Sequence, residues 1–329
     1  MEQEQRVSVI VPVYNGGWCL DRCLSGIRRS SYRNYELIVV DNGSTDNSIA
    51  IAQAHGARVA HCPGPSGPGA ARNTGVQVAS GQLLLFVDAD VVVREDVLSR
   101  VVARFLTNPE CAAVFGSYDD RPTATNFLSQ YKNLLHHFVH QNANSQATTF
   151  WAGCGAIRTD VFLKVGGFDQ EKYPTPSIED IELGDRIYRQ GYRICLDREV
   201  QATHLKEWRW LSLLRAEIFY RAVPWSRLIL ERQGLVSDLN LKISQQASAG
   251  LANLMLVMLP FVPMQPTLTY GFVLLLIVFL VLNWDIFAFF LRRKGVPFTI
   301  RVVPMHALYL IYSSVTFVLV LLSHAVRIR

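Results

Sequence analysis

The chain opens with a short apolar run at 7–13 (VSVIVPV) in which β-branched residues dominate and polar residues stand on both sides. A run of that length with no polar alternation predicts a strand covered on both faces, as a parallel sheet buries its strands. Apolar positions over 18–29 then recur at helical spacing, and 36–40 (ELIVV) reads as a second buried strand. The rhythm repeats, with turn and cap chemistry at 41–46 opening a helix over 46–55, a strand near 57–61, a glycine-rich loop, a helix near 69–79 and the strand LLLFV at 83–87. Further on, 96–106 predicts a helix and 111–118 a strand, while 119–150 is polar, histidine-rich and ambiguous. A strand or turn at 151–158, helices at 159–165 and 179–190, a strand at 192–196 and a strand-like 199–203 follow. Strands alternating with helices predict an α/β fold, a mostly parallel sheet flanked by helices, with ligands at the carboxyl ends of the strands.

From 206 the pattern changes. Trp208, Trp210 and Trp225 stand among Arg and Leu, with Pro224 interrupting, which suits amphipathic helices lying in a membrane interface. Three apolar stretches follow, near 247–264, 267–291 and 302–326, each close to the ~20 residues that span hydrocarbon. The first contains Pro260 and Pro263, so two or three spans are compatible with the pattern. The expected organisation is a catalytic domain over 1–205, interfacial helices over 206–245 and a transmembrane region over 246–329. If all three stretches span, Arg292, Arg293 and Lys294 place the junction after the second on the inside, and the last span exits with Arg327 and Arg329 outside; a re-entrant first stretch would set that junction outside. Asn283 and Asp285 sit in or near the second stretch, where they could meet a lipid headgroup, meet the neighbouring segments or form part of an interfacial cluster.

Charge sharpens this division. Residues 206–245 carry seven Lys/Arg against four Asp/Glu and residues 246–329 six against one, so the net charge of +5 belongs to the apolar end and the first 205 residues are net acidic. That distribution argues against a nucleic-acid partner and for an anionic membrane surface. The polar start MEQEQR lacks a signal-peptide pattern, so the catalytic part is expected on the cytoplasmic side of a multi-pass membrane protein. The six cysteines form no CxxC pair and no zinc spacing, and are expected to be reduced, partly buried thiols.

The chemistry-bearing residues sit at the predicted strand ends. Asp88-Ala89-Asp90 closes the strand 83–87 with a carboxylate pair, a hard-oxygen donor set suited to Mg²⁺ or Mn²⁺. Residues 57–88 imitate a dinucleotide site, but Gly67-Pro68-Gly69-Ala70-Ala71-Arg72 puts Arg where the third glycine must allow close helix packing, and Asp90 would have no role.

Six segments in this order, VSVIVPVYN, ELIVVDNGSTDNS, GPGAARNTG, LLLFVDAD, GGFD and EDIELGDR, resemble glycosyltransferase family 2, whose domain has the GT-A nucleotide-diphospho-sugar transferase fold; the likeness covers residues 6–205. The membrane end points to a membrane-anchored subgroup. The resemblance implies that Pro12, Tyr14, Asn15, Asp41, Arg72 and Asp88 line the nucleotide pocket, with Asp41 accepting from the base. It further implies that Asp90, with Asp88 beside it and His204 as a third contact, holds a divalent metal against the diphosphate. Glu179-Asp180 resembles the motif whose Asp is the catalytic base, and Gly153, Gly155, Gly166, Gly167, Phe168 and Asp169 are expected on the acceptor side. Arg221-Ala222-Val223-Pro224-Trp225 has the frame of the Q-x-x-R-W motif of processive synthases, but Arg replaces Gln and Pro replaces the inner Arg, which weakens a processive reading.

The expected activity is inverting, metal-dependent transfer of a sugar from a nucleoside diphosphate, a UDP-sugar first, to a lipid or lipid-linked acceptor at the cytoplasmic membrane face. Two alternatives stay open: a polyprenyl-phosphate acceptor, already anionic, that needs no base, and a non-catalytic sugar-nucleotide-binding membrane scaffold. The sequence leaves the sugar, the acceptor and the oligomeric state open.

Overall fold

The computed structural model describes residues 5–64, 66–232 and 243–327. The chain divides into two compact units, Met1–Glu207 and Trp208–Arg329.

In the first unit the order is β1 (Val7–Val13), α1 (Leu20–Arg28), β2 (Tyr35–Asp41), α2 (Ser48–Ala54), β3 (Arg58–His61), α3 (Gly67–Gln77), β4 (Leu83–Val87), β5 (Val91–Val93), α4 (Val97–Thr107), β6 (Cys111–Tyr118), α5 (Phe127–Gln141), β7 (Gln146–Ala147), β8 (Cys154–Arg158), α6 (Thr159–Lys164), α7 (Glu179–Arg189) and β9 (Arg193–His204). The strands form one sheet in the order β3-β2-β1-β4-β8-β6-β9-β5, with β7 paired to β9. The α/β architecture is as expected, but "mostly parallel" needs correction. The neighbours from β3 to β4 are parallel, as are β6 and β9, whereas β8 runs antiparallel to both β4 and β6, and β5 and β7 run antiparallel to β9. A buried apolar run carries no information on direction; the connections decide it. The antiparallel β8 puts its start, Cys154, beside the end of β4, Val87, so residues 151–153 join the carboxyl-end rim.

The core forms because strands β1 and β4 are apolar on both faces and helices cover each. On α1 the buried Leu20, Cys23, Leu24 and Ile27 keep helical spacing, and Gly26 lets the helix lie against β5, where an added Cβ would meet Val92 at 2.9 Å. Gly75 does the same for α3, where a Cβ would come within 2.5 Å of Ile10 and 2.9 Å of Val40. The ambiguous 119–150 contains α5, begun by Asn126, whose side chain accepts the Ser129 N–H. The two strand signals at 192–196 and 199–203 are one strand, β9.

The cysteine expectation also needs correction. Cys111 and Cys195 form a disulfide between the neighbouring parallel strands β6 and β9, and Cys19, Cys23, Cys62 and Cys154 are free and buried. The bonded pair is 84 residues apart in sequence, so only the strand pairing brings it together.

The second unit is helical: α8 (Trp210–Arg215), a π-helical segment (Ala216–Ala222), α9 (Val223–Glu231), α10 (Ile243–Met258), α11 (Pro266–Leu282), α12 (Trp284–Lys294) and α13 (Val296–Arg327). Pro224 does not stop the helical run. It sits in the first turn of α9, where its missing N–H costs little, and the wide π turn precedes it. Part of the expected interfacial stretch, 233–242, and Arg329 lie outside the described residues.

Only α13, over Val296–Val326, is by itself long and apolar enough to cross a membrane among the described residues. The second apolar stretch is not one straight helix: α11 and α12 meet at a bend of 74°, and count as a second crossing only if taken together. The first stretch breaks at Met258 into a 3₁₀ turn, Leu259–Phe261. Arg292, Arg293 and Lys294 form the last turn of α12 rather than a loop.

Asn283 stands at the bend, between α11 and α12. Asn283 is 1% exposed; its Nδ2 donates to Ser248 Oγ of α10 at 2.9 Å and to Phe279 O, and its Oδ1 faces His306 Nε2 of α13 at 3.2 Å. Asn283 thus contacts the neighbouring segments, while Asp285 faces outward. The unit keeps polar groups inside, including Ser248, Asn283 and His306, and exposes Tyr270, Leu274, Val281 and Leu319.

Candidate active site

The carboxyl ends of β1, β2 and β4 meet along one rim. After β1 the chain turns through Asn15, a non-glycine residue at φ 49°, which Asn tolerates better than most side chains. Asn15 Oδ1 accepts from Thr45 N at 2.8 Å, and Asn15 N donates to Ser44 Oγ at 2.9 Å, so the loops after β1 and β2 are tied together. Pro12 is partly buried and Tyr14 is 53% exposed beside them. Asp41 ends β2 almost fully buried, accepting from Ser44 N at 3.1 Å and Gly43 N at 3.3 Å. His61, across the strand pair, brings Nδ1 to 3.7 Å from Asp41 Oδ2.

Arg72 organises the centre of the rim. It is 3% exposed on α3, donating from Nη2 to Asp88 Oδ1 at 2.6 Å and from Nη1 to Glu179 Oε1 at 2.8 Å. Its guanidinium lies 5.3 Å from the Phe168 ring centroid. Burial pulls the arginine pKa down, but Asp88 and Glu179 outweigh it and leave the group more firmly charged than usual. Asn73 grips the Phe168 backbone at both ends, accepting its N–H at 3.0 Å and donating to its carbonyl at 2.8 Å. Gly69 leaves room for this contact, since a Cβ would stand 3.3 Å from the Phe168 Cβ.

The expected acceptor side therefore divides. Phe168 is 2% exposed and supports Arg72, so it presents no face to an acceptor. Asp169 accepts the Lys172 N–H and shapes its own turn, with Gly166 and Gly167 at positive φ before it. Gly153 and Gly155 are required by packing: added Cβ atoms would lie 2.6 Å from the Trp151 ring and 2.3 Å from the Trp151 carbonyl. Glycines that admit an aromatic ring look the same in sequence as glycines that admit a ligand.

Glu179 and Asp180 open α7 but face different partners. Glu179 is buried between Arg72 and the Ser177 N–H, which donates to Oε2 at 3.0 Å, so its carboxylate serves Arg72 rather than lying open to substrate. Asp180 is half-buried; its Oδ2 accepts the Ala152 N–H at 3.1 Å and its Oδ1 its neighbour Ile181 N–H at 2.8 Å. Ala152 belongs to the segment leading into β8, so Asp180 is fixed to the same rim as Asp88, whose N–H donates to Gly153 O.

Asp90 and His204 form the remaining group. Leu205 N donates to Asp90 O, and β5 pairs Val91 with His204, bringing His204 Nε2 to 3.4 Å from Asp90 Oδ2. Burial raises the Asp90 pKa, but His204, then Lys206, outweigh it and hold the carboxyl below its ordinary value. His204 Nδ1 lies 2.8 Å from Asn133 Oδ1, and the Tyr118 ring stacks on the imidazole at 4.5 Å. The expected trio of Asp88, Asp90 and His204 is not one cluster. Among the described residues no three His, Cys, Asp or Glu side chains are grouped to hold a metal ion, and Asp88 Oδ1 is taken by Arg72. A carboxylate and an imidazole at a strand end still fit Mg²⁺ or Mn²⁺, which commonly takes one or two protein ligands and completes its shell with phosphate oxygens and water.

Tyr118 and Asn133 were not anticipated. Both lie in or beside the unassigned 119–150, and a buried polar residue on a helix gives no distinct pattern.

Residues 8–166 match the family model described as Glycosyl transferase family 2. The chain is 36% identical over 117 residues to glycosyltransferase GlyG of Streptococcus pneumoniae serotype 4, covering 34% of this chain and 38% of that protein. It is 36% identical over 211 residues to glycosyltransferase AglE of Haloferax volcanii, covering 60% and 66%. The match to GlyG thus spans well under half of that relative's length. Among solved structures, the mannosyltransferase PcManGT from Pyrobaculum calidifontis, in complex with GDP-Man and Mn²⁺, shares the fold at a TM-score of 0.54 and 18% identity, covering 96% of this chain and 88% of that one.

Proposed function

The chain belongs to glycosyltransferase family 2, and on that premise we propose that it transfers a sugar, with inversion, from a nucleoside diphosphate to a lipid or lipid-linked acceptor at the cytoplasmic face of a membrane. The single observation that carries this reading is the chain Asp88–Arg72–Glu179, followed directly by Asp180. It couples the donor rim to the helix that bears Asp180, the half-exposed carboxylate assigned here as base.

Asp180 is the base in this reading. A base must stand within hydrogen-bond reach of the acceptor hydroxyl. The Ala152 and Ile181 N–H groups fix the orientation of the half-buried Asp180 carboxylate on the rim. Glu179 positions Arg72, and Arg72 aims Asp88 at the donor. Asp41 and the loops joined by Asn15 receive the nucleoside, a uridine first. Asp90 and His204 would hold a divalent cation, which when bound neutralises charge on the leaving diphosphate.

The membrane setting rests on the second unit. Apolar side chains outside and polar ones inside suit a lipid environment, where unpaired polar groups are costly. The helix α13 has the length and hydropathy of a span, and the bent pair α11–α12 can supply another.

The test is a thermal-shift screen of UDP-, GDP- and dTDP-sugars with Mn²⁺, followed by turnover assays on lipid acceptors. Ligand binding to the native state raises the melting temperature with occupancy. Asp180→Asn should abolish transfer to a hydroxyl acceptor while leaving the donor shift intact. Full activity of that variant on such an acceptor removes the base assignment, and no shift with any sugar nucleotide removes the transferase reading.

A further inference from the structure

Asn133 lies on α5, 71 residues from His204 in sequence, and is 2% exposed. Its Oδ1 is 2.8 Å from His204 Nδ1, and its own Nδ2 makes no hydrogen bond to a protein atom. With the amide oxygen toward the ring, Oδ1 accepts and His204 Nδ1 carries the proton of this contact. In the neutral ring the other nitrogen, Nε2, then carries a lone pair, and it is this nitrogen that faces Asp90 Oδ2 at 3.4 Å. Nε2 facing a carboxylate needs a positive charge between them, supplied either by a second ring proton, which makes the pair an ion pair, or by a bound cation. The Tyr118 ring, stacked within 10° of parallel on the imidazole, restrains the ring plane.

We infer that Asn133 is a positioning residue that fixes the His204 tautomer and ring orientation, so that Nε2 and Asp90 jointly face a divalent cation. This rests on the cation role given to Asp90 and His204 above. The chemistry is that of an outer-shell partner: a ligating imidazole donates its far N–H to a fixed acceptor, and loss of that acceptor weakens metal binding roughly 10- to 100-fold. Asn133 itself touches neither donor nor acceptor.

The test uses the full chain in detergent with UDP and Mn²⁺ as the probe. It reads Mn²⁺ affinity by titration and ¹⁴N coupling to bound Mn²⁺ by pulsed electron paramagnetic resonance. Wild type should show imidazole coupling. Asn133→Leu, close to isosteric but with no acceptor, should lose the coupling and bind Mn²⁺ about 10- to 100-fold more weakly. Asn133→Asp, which keeps the acceptor, should restore both, which a purely structural role of the side chain would not produce. Coupling and affinity unchanged in Asn133→Leu overturn the inference. Wild type that binds Mn²⁺ without nitrogen coupling overturns it too, while leaving Asp90 and the transferase reading in place. Wild type that binds no Mn²⁺ with UDP overturns the metal role and this inference together.

Discussion

Replacing Arg72 by Met tests whether the buried ion chain holds the site together. The two carboxylates it joins are not equivalent: the Glu179 side chain is 6% exposed and that of Asp88 34%. Losing the Asp88 partnership costs little stability, about 0–1 kcal/mol, because that carboxylate remains in contact with water. Losing the Glu179 partnership strands a buried charge, which costs about 3–5 kcal/mol. In a domain of roughly 200 residues each kcal/mol moves the melting temperature by about 2–4 °C, so Arg72→Met should melt some 10 °C below wild type. The double variant Arg72→Met, Glu179→Gln removes the stranded charge while keeping an oxygen for the Ser177 N–H. It should recover at least half of the loss. Both variants lack the Phe168 cation–π contact, so the comparison isolates the Glu179 charge. Intrinsic fluorescence melts of the three proteins suffice, and a double variant that melts no higher than Arg72→Met refutes the argument.

Three further outcomes are expected. Burial raises the Glu36 pKa, but the Ser8 and Ser80 hydrogen bonds and the Arg6 charge outweigh it and hold it below the ordinary carboxylate value; its stabilisation is therefore present at neutral pH and lost as pH falls through the folded value. Glu36→Gln should cost about 1–2 kcal/mol at pH 7, and melts recorded down to about pH 4 should show the two proteins converging. Gly184→Ala on α7 would place a Cβ 2.2 Å from the Phe150 N, pressing the helix away from the segment whose Ala152 N–H holds Asp180; about 1–3 kcal/mol should be lost, and turnover should fall more than donor binding in a paired assay. Asn283→Leu removes the links from the α11–α12 bend to Ser248 and His306, and should destabilise the detergent-solubilised chain by about 1–2 kcal/mol in thermal melts.

How much of this was legible in the sequence depends on what each pattern encodes. The buried strands β1, β2 and β4 and the helices between them follow from periodicity alone, because a strand covered on both faces reads as a nearly continuous apolar run, broken here only by Ser8 and Glu36. The direction of β8 did not follow, since it is set by connections rather than by its own residues. Helix α5 was hidden because its buried side includes Gln130, Asn133, His137 and His140 beside Leu134 and Leu135, so the apolar stripe is broken by polar residues. His137 and His140 spend their Nδ1 atoms on the carbonyls of Tyr118 and Gly116, which anchors α5 to β6. Sequence reading named Arg72 and Asp180, but could not see the carboxylates that bury the first or the Ala152 N–H that orients the second.

The charges on the rim explain why these assignments belong together. Asp88 and Glu179 between them occupy the guanidinium of Arg72, the one buried arginine among the described residues. Asp41 and Asp180 are each oriented by backbone N–H groups. Near Asp90 the side chains that lower its pKa are His204 and then Lys206. A nucleoside diphosphate brought to this acidic edge would meet like charge, and repulsion between groups a few ångströms apart is not fully screened at a partly buried site. In the proposed reading a doubly charged cation held by Asp90 and His204 would resolve that conflict, since a bound metal ion is commonly the largest charge in such a site. On this argument Arg72 builds the pocket rather than binding the phosphates, so replacing it and replacing Asp90 should fail differently: the first through stability, the second through donor affinity that no added Mn²⁺ restores.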